Sequence, residues 1–245
     1  MKSYTYSEIK ETDELGMMYW VYITKPIVHR MTFLFANYTK LTPNQITIAS
    51  LIFGLMAVPF FLRGAWIYLV IGAFLFECSF LLDYCDGRIA RLKGLKSTFG
   101  AYLDVITDMI RYFFITLALV YGQYLLTRDI SFFIYGYIFV FLLVLFLANT
   151  YIIRHHQPEF GMKRNDVYKM RYNILSNKLP FIMKIKTKID PNHKLIFLPN
   201  DAETIGFFIF PLIMQIKLGF IIGSIVLIVN IASLIIYNFK IKEKI

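Results

Sequence analysis

The chain has 245 residues, 58% apolar, 18% aromatic and 17% charged, with a formal net charge of +10. Apolar residues in that share, spread along the whole length, exclude an ordinary soluble domain and point to an integral membrane protein. Nucleic-acid binding is the other reading of a basic chain, but a basic collar facing anionic lipid headgroups accounts for the charge, so membrane lipids are expected around it and no nucleic acid.

The first 18 residues carry Glu8, Glu11, Asp13 and Glu14 and no apolar core, so no cleavable signal peptide is read there and the first span is expected to direct insertion. Met17–Tyr38 mixes Trp20, Phe33, Phe35 and Tyr38 with Lys25, His29 and Arg30. It is too polar to span and suits an interfacial amphipathic helix, either a plain anchor or a lipid-entry surface. Thr42, Pro43 and Gln45 then make a helix start: a cap, a proline at the first helical position and a glutamine three after the cap. Asn44 and Thr47 are not needed for that start, and they offer hydrogen bonds to an anionic ligand at a positive helix end.

A span needs roughly 20 mostly apolar residues. Six such stretches follow, at about Ile46–Leu62, Ala65–Leu82, Phe99–Leu126, Phe132–Ile153, Thr204–Lys217 and Leu218–Phe239. The fold class is therefore an all-α integral membrane protein with six transmembrane helices and an N-terminal interfacial amphipathic helix. It reads as one domain over 1–245: an N-terminal segment 1–41, four spans in 42–153, a basic loop 154–201, and two spans with a tail in 202–245. With the N-terminus inside, the cytoplasmic segments collect 22 Lys and Arg against 3 on the other side, Arg63, Arg128 and Lys217. This asymmetry puts both termini on the cytoplasmic side. Cys78 and Cys85 lie two helical turns apart and are too far from each other to pair.

The second and third spans are joined by the polar stretch Leu82–Asp108, LDYCDGRIARLKGLKSTFGAYLDVITD. Asp83, Asp86 and Ala90 fall at i, i+3 and i+7 on one helix face, and Gly100, Asp104 and Asp108 at i, i+4 and i+8 on another. The short link Lys93–Thr98 lets the two helices run antiparallel, so all four acids are expected to meet in one pocket. An ion-pair network with Arg88, Arg91 and Arg111 is one way to balance them. Hard divalent cations are the better match, because all-oxygen donor sets suit Mg²⁺ or Mn²⁺, and two such ions clamp a diphosphate. Gly87 and Ala90 leave room for a ligand against the helix, and Arg91 offers a planar donor to phosphate oxygens.

The spacing D-x2-D-G-x2-A-R-x8-G-x3-D-x3-D, carried by Asp83, Asp86, Gly87, Ala90, Arg91, Gly100, Asp104 and Asp108, resembles the signature of the CDP-alcohol phosphotransferase family. The Thr-Pro-Asn-x-Ile-Thr start of the first span is similar to that family too. The resemblance implies metal-dependent transfer of a substituted phosphate group with release of CMP, most simply from CDP-diacylglycerol to a small polar alcohol. It implies Asp83, Asp86, Asp104 and Asp108 as ligands of two Mg²⁺ or Mn²⁺ ions, with Asp108 also the general base. Asn44, Thr47, Asp83, Gly87, Ala90, Arg91, Ser97 and Gly100 would line the CMP pocket, Arg111 and Glu203 are candidate acceptor contacts, and the family is commonly homodimeric.

The family's subdivisions are not separable on these residues. Asp-Gly-Arg-Ile-Ala-Arg-Leu at 86–92 is similar to phosphatidylserine synthases, but their Phe-Gly continuation after the last aspartate is missing. The Leu-Asp-x3-Asp run resembles inositol-phosphate-type enzymes, but Met109 stands where those place an arginine, and Arg111 follows two positions later. The Pro-x-Ala-Asp-Lys pattern of glycerophosphate enzymes is absent. The alternatives are transfer of a phospho-alcohol from a CDP-polyol or CDP-aminoalcohol to a lipid or glycan acceptor and, more distantly, an intramembrane prenyltransferase, which typically needs more spans and asparagine-led acid motifs. The basic loop 154–201 reads as an amphipathic surface element that holds an acidic acceptor or lipid headgroups, and His155 and His156 at its start read as interfacial.

Overall fold

The computed structural model describes residues 3–12, 24–156 and 199–242, with side chains described as far as 152 in the second stretch and over 201–235 in the third. All its regular elements are helical. In chain order they are α1 (Tyr6–Glu11), α2 (Lys25–Tyr38), α3 (Pro43–Arg63), α4 (Trp66–Leu92), α5 (Thr98–Thr127) and α6 (Ser131–His156). The third stretch holds α7 (Pro199–Thr204), a π-helical turn (Ile205–Ile209), α8 (Phe210–Leu212) and α9 (Ile216–Lys242).

Four of these helices, α3, α4, α6 and α9, are long and apolar enough to cross a membrane by length and composition. The protein is thus of the all-α membrane class expected from its sequence. α4 runs to Leu92, about three turns past the apolar stretch that ends at Leu82, as the helical spacing of Asp83, Asp86 and Ala90 and the link from Lys93 imply. α5, at the expected third span, is one continuous helix but is not among these four. The expected fifth span is a broken segment, where Pro211, which has no N–H to give, follows a π-helical turn. Of the expected interfacial helix, Lys25–Tyr38 is helical, while residues 17–23 lie outside the described residues, as does most of the basic loop 154–201.

Local sequence explains the helix ends that matter for the site. At α3 the Thr42–Gln45 capping box is formed: the Gln45 N–H donates to Thr42 Oγ1 at 3.4 Å and the Thr42 N–H to Gln45 Oε1 at 2.9 Å. α4 stops at Gly94, whose φ of +68° is a left-handed conformation open to glycine, and Leu95 N–H returns to Ala90 O at 2.9 Å. Ser97 then caps α5, accepting from the Gly100 N–H at 2.9 Å.

α3 packs along both α4 and α5, whereas among the described residues α4 and α5 have few close contacts with each other. At the end away from the acids the α3–α5 contact is backbone to backbone, since a Cβ at Gly122 would stand 2.3 Å from Phe61 O. The same end gathers the Gln123 amide donating to Gly64 O (2.8 Å), the Trp66 indole donating to Leu212 O (2.9 Å) and the Lys217–Asp129 ion pair. The opposite end of α4 and α5 is left as a cleft with α3 as its floor. α2 packs on α4 with Val28, His29, Thr32 and Ala36 buried, and Asn37 ties it back to Tyr4 through both backbone groups.

Candidate active site

α4 and α5 deliver the acids from facing walls. Side-chain oxygens of Asp83, from α4, and of Asp104 and Asp108, from α5, lie within 4.8 Å of one another. Asp86, one turn on from Asp83, stands outside this trio, and its carboxylate is hydrogen-bonded by the Thr47 hydroxyl of α3. The four expected ligands are therefore three together and one beside them, held by a residue that the sequence marked only as nucleotide-facing.

Arg111 organises the trio. It is 1% exposed, and Nη2 donates to Asp108 Oδ1, while both terminal nitrogens reach Asp83 Oδ1 at 3.4 Å. Nη1 also donates to Ser50 Oγ at 2.6 Å and to Ser79 Oγ at 3.0 Å, and Nη2 to the Tyr112 hydroxyl at 3.4 Å. Ser50 and Ser79 lock α3 to α4 by exchanging hydroxyl-to-carbonyl bonds of 2.9 and 2.7 Å. Gly54, one turn beyond Ser50, makes the room: a Cβ there would stand 2.6 Å from Arg111 Cδ. A buried guanidinium bound on this many sides fixes carboxylate geometry and offsets part of the cluster's negative charge.

Of the residues expected around a nucleotide, Asn44, Ser97 and Gly100 are brought together. A Cβ on Gly100 would sit 3.0 Å from Ser97 Oγ and 3.1 Å from Asn44 Oδ1, so the starts of α3 and α5 meet over that glycine. The Arg91 guanidinium lies across Gly87, 3.5 Å from where a Cβ would be. Ala90 is half-buried between them in sequence on α4.

The last wall comes from the C-terminal half. Phe207 of the π-helical turn stacks on Tyr112 (ring centroids 5.8 Å apart, planes 13° apart) and packs against Phe76 at 5.1 Å and Phe139 at 5.4 Å. Tyr112 follows Asp108 by one turn of α5, and Glu203, which is 3% exposed, precedes Phe207 by four residues. The stack brings the turn that follows Glu203 to the acid end of α5.

Residues 40–236 match the family of CDP-alcohol phosphatidyltransferases. The chain belongs to that family. The matched region contains the whole of the cleft, from Asn44 to Glu203. Among its curated relatives, the archaetidylinositol phosphate synthase of Pyrococcus horikoshii is 40% identical over 72 residues, 28% of this chain and 35% of that protein. The CDP-diacylglycerol–serine O-phosphatidyltransferase of Helicobacter pylori is 34% identical over 76 residues, 31% of each chain. The bifunctional IPC transferase and DIPP synthase of Archaeoglobus fulgidus is 30% identical over 124 residues, 50% of this chain and 22% of that protein. In all three, the similar stretch covers about a third or less of the relative's length.

Ser50, Gly54, Ser79 and Tyr112 are site residues that the motif reading passed over. A signal for three of them exists in the family-matched region: Asn44, Thr47, Ser50 and Gly54 form a polar and small stripe at helical spacing in an otherwise apolar α3, and Ser79 lies four residues before Asp83 on the same face of α4. Tyr112 has no such marker, since an aromatic in a span is ordinary.

Proposed function

We propose that this chain is a divalent-cation-dependent phosphotransferase of a cytoplasmic membrane, moving a phosphatidyl group from CDP-diacylglycerol to the hydroxyl of a small polar alcohol with release of CMP. The observation that carries the reading is the convergence of the Asp83, Asp104 and Asp108 oxygens to within 4.8 Å in a cleft between two helices. Three carboxylates and no softer donor fit a Mg²⁺ or Mn²⁺ ion, with Asp86 adjoining them for a second. Such ions, when bound, would neutralise the diphosphate and the charge that develops on leaving CMP. The donor named for the Helicobacter pylori relative supports CDP-diacylglycerol as the lipid.

In this reading Asp108 takes the proton from the acceptor hydroxyl as the acceptor oxygen bonds to the β-phosphorus and the bond to the CMP oxygen breaks. Arg111, a candidate acceptor contact by sequence, spends its terminal nitrogens on protein groups and is assigned instead to hold Asp83 and Asp108 in place. Asn44, Thr47, Gly87, Ala90, Arg91, Ser97 and Gly100 form the nucleotide side, with Arg91 facing the phosphates. Glu203 is on the acceptor side. The excess of 22 Lys and Arg over 3 supports a cytoplasmic cleft and cytoplasmic termini, and the proposed unit is a single-domain chain acting as a homodimer in the lipid.

The test is purification in detergent, addition of CDP-diacylglycerol with a panel of alcohols, and measurement of CMP. Release that depends on both a divalent cation and an alcohol supports the proposal. Release from a CDP-polyol or CDP-aminoalcohol and never from CDP-diacylglycerol removes the donor assignment.

A further inference from the structure

Phe207 has no chemistry of its own, yet an unusual piece of backbone buries it completely against α5, one turn past the proposed base. In the π-helical turn that carries it, the Phe210 N–H reaches back five residues to Ile205 O, and Pro211 follows with no N–H to give. Phe207 meets Tyr112 on α5, while its neighbour Phe208 meets Phe74 on α4, with centroids 5.7 Å apart. Behind Phe207, the Phe139 ring of α6 is gripped by two glycines. A Cβ on Gly206 would stand 2.7 Å from that ring and one on Gly223 2.4 Å from it. Packing this close leaves the Phe207 ring little room to shift.

What Phe207 holds in place is the surface under Arg111. The Tyr112 ring lies parallel to Phe207, and the Arg111 guanidinium carbon stands 5.2 Å from the centroid of the same ring, within cation–π range. Arg111 Nη2 also donates to the Tyr112 hydroxyl at 3.4 Å. The other bonds of the guanidinium are polar and come from its terminal nitrogens, to Ser50, Ser79, Asp83 and Asp108, while Nε is buried with no hydrogen-bond partner among the described residues. The Tyr112 ring is therefore the apolar support of the fork that grips Asp108. A leucine at position 207 would leave a void beside that ring and let it tilt away from the guanidinium.

We infer that Phe207 is a positioning residue: it seats the Tyr112 ring under the Arg111 guanidinium and so keeps the Asp108 carboxylate where the acceptor hydroxyl is deprotonated. The inference rests on the phosphotransfer reading and adds to it a residue that touches neither substrate nor metal. It makes the C-terminal half of the chain part of the support of the base.

The purified full chain is assayed for CMP release from CDP-diacylglycerol with Mg²⁺ and the alcohol that the wild type turns over fastest. Phe207→Leu is expected to lower kcat about 10-fold while the KM for CDP-diacylglycerol stays within about 3-fold. Phe207→Tyr, which keeps the ring, is expected to hold kcat within about 3-fold of the wild type. In an Arg111→Lys background the planar fork over Tyr112 is already lost, so Phe207→Leu should lower kcat by less than about 3-fold more. A residue needed only for the fold would give losses that multiply in the double variant. Wild-type kcat in Phe207→Leu, equal losses in Phe207→Leu and Phe207→Tyr, or multiplying losses with Arg111→Lys overturns the inference and leaves phosphotransfer standing. If Phe207→Leu is not recovered folded, Phe139→Leu, which removes the ring behind Phe207, takes its place with the same expectations: lowered kcat, unchanged donor KM and no further loss with Arg111→Lys. No CMP release by the wild type with any alcohol removes both the inference and the reading beneath it.

Discussion

Arg111 donates to the carboxylate of Asp108, three residues before it on the same helix, and reaches Asp83 on the facing helix at 3.4 Å. One buried guanidinium thereby spans the two walls of the cleft and ties the proposed base to a proposed metal ligand. Replacing it by glutamine removes both the charge and the fork. Because small misplacements of reacting groups are costly, Arg111→Gln is expected to lower kcat about 100-fold, and Arg111→Lys, which keeps the charge without the planar fork, to fall between. Steady-state CMP release measures both, with donor KM as the control.

The space for that guanidinium comes from Gly54. A Cβ there would stand 2.6 Å from Arg111 Cδ and 2.8 Å from Cγ, so Gly54→Ala should push the arginine off its ligands without touching the cleft itself. The expected outcome is a fall in kcat in the same direction as Arg111→Lys; unchanged kinetics would show that Arg111 has slack to give.

Asp108→Asn keeps the shape of the proposed base and removes its ability to take a proton. Turnover is expected to fall at least about 100-fold, with CDP-diacylglycerol binding largely retained, as read by equilibrium binding of labelled donor. Near-normal turnover would remove the base assignment.

At the other end of the bundle, Asp129 in the α5–α6 link accepts from Lys217 at the start of α9, and this hydrogen bond holds the Asp129 carboxyl down at about 2. A carboxylate with a lowered folded value stabilises the fold above its unfolded value of about 4 and loses that contribution as pH falls through the folded value. The thermal midpoint of the wild type should therefore exceed that of Asp129→Asn by a constant small margin from neutral pH to about 5, and the margin should close as pH falls toward 2. The pair is partly exposed, so the margin is small, in keeping with solvent screening.

Helix content and the site's local frame were legible because they are written in short-range patterns. The Thr42–Gln45 cap, the Asp104–Asp108 pair at i, i+4 and the link at Gly94 depend on neighbours within a turn or two, and each forms as the spacing implies. The extension of α4 to Leu92 shows in the helical spacing of Asp83, Asp86 and Ala90 and not in hydropathy, since polar residues that line a cleft look the same as residues that leave the membrane. Asp86 pairing with Thr47, Arg111 folding back on Asp108 instead of facing outward, and Phe207 stacking on Tyr112 all depend on how the chain's separate parts pack. Such contacts between distant residues leave no periodic trace in a single sequence. The fifth span misled for a different reason: Ile205–Leu212 is apolar enough to read as a plain span, while the π-helical turn before Pro211 breaks its regularity.

The most direct measurement of the central claim is CMP release by the purified protein from CDP-diacylglycerol, with and without an alcohol and with and without a chelator. The account predicts release only when alcohol and Mg²⁺ or Mn²⁺ are both present, lost in EDTA, restored by either ion, and absent in Asp83→Asn and Asp104→Asn proteins that remain folded. Release that persists in chelator, or that survives both substitutions at the wild-type rate, would contradict it.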